Sequence, residues 1–200
     1  MKRTKQQIIA QIRSLIDQTS SNSEYTDDEL NGFSNEAIQY IASKVEWPRD
    51  IVKIASQQNI AVYTLPSDTM KIRNAYFGNQ DVSGDVLPLN IITEEKLKEY
   101  NPNWLDKTTQ SQGRPSKIIL LDRRSILVDP RPNAAEAGKN IIFTYVYYPA
   151  ALSADGDVPD LPDAYHDFIK DYAGALAYFG KLKNHEMGTS LMKLAIDLID

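Results

Sequence analysis

Apolar residues recur at Ile8, Ile9, Ile12, Leu15 and Ile16, spacings that lay one stripe along an α-helix over residues 4–18. A polar run, Thr19-Ser20-Ser21-Asn22-Ser23, reads as a loop. Thr26 followed by Asp27, Asp28 and Glu29 then forms a capping box that starts a second helix at Asp27. Its apolar positions run from Leu30 to Val45 and stop at Trp47-Pro48, where proline ends the helix. Two helices joined by so short a loop are expected to pack antiparallel. The pattern then changes to short β-branched and aromatic runs at 51–55, 60–65, 71–77 and 86–92, separated by Gln, Asn, Pro, Asp and Gly turns. Thr93 caps a short helix that ends near Asn101-Pro102, and the polar stretch 106–115 is expected to be mobile or ordered by a partner.

Three further strands follow at 117–121, 125–129 and 140–148. In the last, Ile141, Phe143, Tyr145 and Tyr147 alternate with Ile142, Thr144, Val146 and Tyr148, so both faces are apolar and a central position is predicted. After an acidic connector at 151–160, Pro162 opens a helix with Tyr165, Phe168, Ile169, Tyr172 and Leu176 on a broad apolar face. A final helical segment from Glu186 carries Leu191, Leu194, Ala195 and Leu198. The expected fold is α+β: a helical bundle from the N-terminal and C-terminal helices with an inserted antiparallel β-rich middle region. It is read as one domain over residues 1–200, with a helical part at 1–47 and 160–200 and a β-rich part at 50–149.

Composition narrows the function more than the fold. Hydrophobic residues at 42% and charged residues at 24% are ordinary for a globular chain. A net charge of -5 argues against a protein whose main activity is an electrostatic grip on nucleic acid. The absence of cysteine excludes disulfides, thiolate zinc sites and a cysteine nucleophile. The basic start Met1-Lys2-Arg3-Thr4-Lys5 is followed by Gln11, Arg13 and Asp17 rather than an apolar core, so no signal peptide is expected. No apolar run reaches the ~20 residues of a membrane span, so no membrane partner is expected.

Candidate chemistry is sparse. The nine glycines are dispersed and form no phosphate-binding turn. Asp160, Asp163, Asp167 and Asp171 lie near His166, with His185 further on, but helical spacing divides them between faces. An acidic face at a helix start accounts for them better than a metal site or a small hydrolase built on Asp163, His166 and Asp167. No Gly-x-Ser-x-Gly frames a nucleophile. No catalytic residue, metal or cofactor is therefore expected. Arg114, Lys117, Arg123, Arg124 and Arg131 are exposed strand ends or contacts to a partner or to phosphate; a small nucleic-acid-binding module centred on Arg123 and Arg124 is the rival reading. Tyr145, Tyr147 and Tyr148 continue an apolar strand and read as core and subunit contact rather than a base-stacking platform.

The order of several segments resembles the head-to-tail adaptor, or connector, proteins of tailed bacteriophages. The segments are Asp28-Glu29-Leu30 through Asn35-Glu36-Ala37-Ile38, Tyr63-Thr64-Leu65-Pro66-Ser67-Asp68, Gly113-Arg114-Pro115, Ile126 to Pro132, Tyr145 to Pro149, and Leu161-Pro162-Asp163-Ala164-Tyr165-His166. The resemblance implies a structural, non-enzymatic virion protein: a dodecameric ring of copies that docks on the portal protein, extends the DNA channel and meets a tail or nozzle protein. It implies a place in the virion neck, reached from the host cytoplasm during assembly. Genomic DNA would pass through the lumen without sequence recognition, past a wall that the acidic chain makes repelling. By the same analogy Leu191, Leu194 and Leu198 contact the portal or a neighbouring subunit.

Overall fold

The computed structural model describes residues 2–17, 24–100, 102, 104 and 111–199. The expected polar loop at 19–23 and residues 106–110 of the polar stretch lie outside the described residues. The chain divides into two compact units, Met1–Pro48 with Tyr148–Asp200, and Arg49–Tyr147. The α-helices are α1 (Lys5–Leu15), α2 (Asp27–Val45), α3 (Glu94–Tyr100), α4 (His166–Phe179) and α5 (His185–Asp197).

In the helical unit, α4 is the helix on which α1, α2 and α5 all pack. Its sequence allows this because Ala173, Gly174, Ala175 and Ala177 present little side chain beyond the buried Phe168 and Ile169. A Cβ on Gly174 would lie 2.6 Å from the Leu15 side chain of α1, so a larger residue there would oblige that leucine to shift. The rings of Phe168 and Tyr172 stack with Tyr40 of α2 at centroid distances of 6.0 and 5.1 Å. Both N-terminal helices carry full capping boxes, Thr4 with Gln7 and Thr26 with Glu29. The helix expected to open at Pro162 begins instead as a single 3₁₀ turn, Asp163–Tyr165, and becomes α-helical at His166. The reason is that Pro162 has ψ 142°, an extended conformation that leaves it outside the helix.

The β unit is built on two facing sheets. Strands β1 (Arg49–Ala55), β2 (Val62–Thr64), β3 (Thr69–Gly78), β4 (Leu87–Pro88), β5 (Asn90–Ile92), β6 (Gln112–Gly113), β7 (Lys117–Leu120), β8 (Ser125–Asp129), β9 (Arg131–Pro132) and β10 (Asn140–Tyr147) form orders β1-β10-β3-β4, β2-β8-β7-β5 and the pair β6-β9. Strand β10 lies between β1 and β3, the central position its two apolar faces predict. Phe77, Ile141 and Phe143 from one sheet and Tyr63, Ile118, Ile126 and Val128 from the other share one core. On the far side of the second sheet Leu97 of α3 and Trp104 cover Ile119 and Leu127.

Two features correct the expected antiparallel middle. The run 86–92 is two strands, not one: β4 pairs with β3, Leu89 turns inward, and β5 joins the other sheet. The β5–β7 and β6–β9 pairs are parallel. Parallel neighbours need a crossover, which α3 and the chain after it supply between β5 and β7.

Candidate functional site

Helix α5 is amphipathic with more apolar surface than α4 covers. Gly188, Leu191 and Ala195 are its buried residues, and α4 is the helix it packs on. To one side of that stripe Met187, Leu194 and Leu198 are 42%, 52% and 46% exposed. To the other side Thr189, Met192, Lys193 and Ile196 line an apolar hollow of about 300 Å³ together with Phe179 of α4. The structure therefore separates the three leucines expected to make one contact: Leu191 is core, at 8% exposure, whereas Leu194 and Leu198 are available to a partner. Phe179, Met192 and Ile196 were not among the expected contacts. Their signal was present in an apolar arc too wide for a single packing partner.

The three arginines also part. Arg114 is committed within the β unit: its guanidinium meets the Asp85 carboxylate at 2.8 Å, donates to the carbonyls of Phe77 and Asp85, and lies 5.8 Å from the Phe77 ring centroid. Lys139 joins Asp85 at 3.3 Å and Glu136 at 3.0 Å, so two cations face two carboxylates. The Asn79 N–H and then Arg114 hold the Asp85 carboxyl down to about 2. Gly78 permits the arrangement, since its φ is +149° and a Cβ would lie 2.3 Å from the Asp85 carbonyl oxygen. Arg123 and Arg124, by contrast, are exposed on the turn between β7 and β8, which Asp122 fixes by accepting the Arg124 N–H at 2.6 Å. Lys117 sits 3.8 Å from Asp129 and 4.9 Å from the Tyr100 ring centroid, and Arg131 is half-buried.

The acidic start of α4 is tied up by cations. Asp167 pairs with Arg3 at 2.7 Å and Asp171 with Lys170 at 3.2 Å. His166 is buried and accepts the Arg3 N–H at Nδ1, 3.1 Å away. Among the described residues no group of three or more His, Asp or Glu is placed to hold a metal ion. Burial chiefly lowers the His166 pKa from its ordinary value of 6.5, against an opposing pull from Asp163. An unfolded imidazole titrates near 6.5, so below that pH the unfolded chain binds more protons. Stability should therefore fall as pH drops from about 6.5 towards the folded pKa and level off beneath it. Denaturant midpoints measured between pH 7.5 and 5 should show this loss in the parent and a smaller one in His166→Asn.

Charge is divided unevenly. The helical unit has 9 Lys and Arg against 16 Asp and Glu, a net of -7, and the β unit has 13 against 11, a net of +2. No helix among the described residues is long and apolar enough to cross a membrane.

An α+β chain whose uncommitted features are apolar and charged surfaces, with its acidic cluster neutralised internally, is built to be held against other proteins. A family model described as SU10 adaptor protein matches residues 3–196, and the chain belongs to that family. It is thus a structural bacteriophage adaptor, of the head-to-tail kind its sequence resembles. No curated protein matches the chain.

Proposed function

We propose that the protein is a ring-forming adaptor that docks on the portal through α5, extends the DNA channel and joins it to the tail. The two units act together as one adaptor domain. The observation that carries this reading is the uncovered apolar flank of α5, where Leu194 and Leu198 stand exposed on a helix already anchored by Leu191 and Ala195. An apolar surface of this kind is what a docking helix presents to a groove. A closed dodecameric ring, assembled in the host cytoplasm, gives every subunit the same contact. Genomic DNA passes through without sequence recognition, and the helical unit, with its net charge of -7, is the part suited to repel it.

The exposed Arg123-Arg124 turn supports a second reading, a phosphate contact within the β unit. The two are separated by native mass measurement of the protein alone and with its portal. A ring in either condition supports the adaptor reading. No ring in either, and none in virions, overturns it. Salt-sensitive DNA retention lost in Arg123→Ala with Arg124→Ala supports the second.

A further inference from the structure

The hollow beside α5 is walled by Phe179, Met192 and Ile196 and completed by Thr189 and the exposed Lys193. The Thr189 hydroxyl is engaged, donating to the His185 carbonyl at 2.7 Å. The Lys193 ammonium meets no carboxylate among the described residues, although the helical unit carries a net charge of -7. An aliphatic side chain would fill such a hollow by burial alone. An aromatic ring gains more at each wall: a ring contact with Phe179, the polarisable thioether of Met192 and, across its face, the Lys193 ammonium. The volume of about 300 Å³ is twice the ~150 Å³ that encloses one benzene, which leaves room for the two fused rings of an indole.

The chain carries an indole in need of cover. Trp47 follows α2 and is 41% exposed, and its side chain has no hydrogen bond, ring contact or cation partner among the described residues. Of the other exposed aromatics, Tyr100 already has Lys117 at 4.9 Å from its ring centroid, and Tyr148 offers a cation a weaker face than tryptophan does. Trp47 cannot reach the hollow of its own copy. The Tyr25 hydroxyl donates to the Ala177 carbonyl while Tyr40 stacks on Phe168 and Tyr172, so α2 runs antiparallel to α4. Trp47 therefore lies past the start of α4, and Phe179 closes its far end, roughly 20 Å away at 1.5 Å per helical residue. Plug and hollow at opposite ends of one unit are what a head-to-tail contact between identical copies requires.

We propose that the Trp47 indole of one copy inserts into the α5 hollow of a second copy, with Lys193 against its ring. The contact joins unlike surfaces, which generates a ring when the rotation closes. Leu194 and Leu198, on the opposite flank of α5, stay open to the portal. This inference rests on the ring reading and assigns that ring a lateral contact.

The test follows assembly of the full chain, alone and with its portal, by sedimentation. Trp47→Ala should raise the concentration needed for assembly about tenfold or more, with helical content unchanged. Ile196→Trp, which fills the hollow from within, should do the same while leaving the plug intact. Lys193→Gln should weaken assembly about threefold or more in the parent and change nothing in Trp47→Ala. Trp47 emission, read as the difference between the parent and Trp47→Phe, should be shielded from acrylamide once copies assemble. Unchanged assembly of Trp47→Ala, equal effects of Lys193→Gln in both backgrounds, or a Trp47 as quenchable in the ring as in the free chain would overturn the inference while the ring stands. So would an Ile196→Trp chain that loses the portal but still associates with its own copies, which would give the hollow to the portal. Failure of the parent to assemble in either condition overturns both.

Discussion

A Phe143→Ala chain should lose about 3–5 kcal/mol of stability in its β unit. Phe143 is fully buried on the central strand β10, in the core shared by the two facing sheets. Its removal leaves a cavity walled on both sides, and neither sheet can collapse into it without breaking register with β1 or β3. Trp104, buried against Leu97, Ile119 and Leu127, reports on the same unit, so denaturant unfolding followed by its fluorescence in a Trp47→Phe background measures the loss. Ile51→Ala on the exposed side of neighbouring β1 is the control and should stay within about 0.5 kcal/mol. Equal effects at the two positions would mean that the sheets do not share a core.

The second large effect concerns docking. Leu194→Asp combined with Leu198→Asp should weaken the complex with the portal about a hundredfold, since each carboxylate would be desolvated without a partner at about 1–3 kcal/mol. Both leucines are roughly half exposed, so the helical content and unfolding midpoint should barely move. Leu191→Asp should act differently, by burying a charge against α4 and destabilising the bundle itself. Sedimentation of each variant with portal, alongside its circular dichroism, distinguishes these outcomes. Undiminished binding by the double variant would remove α5 from the docking surface.

Much of the helical unit was legible because its signals are local. Thr26 and Glu29 cap α2 where the spacing of side chains requires, and the period of Ile8, Ile12 and Leu15 needs no distant residue to be read. The central place of β10 was legible for a related reason, since two apolar faces demand two covers. What could not be read depends on partners remote in sequence. Leu89 changes sheets because Ala75 accepts its N–H and the following strand finds β7, and no feature of residues 86–92 announces either. Arg114 looked like a surface cation because Asp85, which claims it, is 29 residues away. Leu191, Leu194 and Leu198 share one stripe by spacing, but only the position of α4 decides which of them is core.

The β unit begins at Arg49 and leaves at Tyr147, and Arg49 lies directly across from Val146 in the β1–β10 pair. Its entry and exit are therefore side by side, about 5 Å apart, as antiparallel partners must be. To the helices, ninety-nine residues amount to a single short stitch. A lineage could exchange the whole insert for another shape without rethreading the bundle, and a brief turn grafted between Pro48 and Tyr148 should let the helices fold without it.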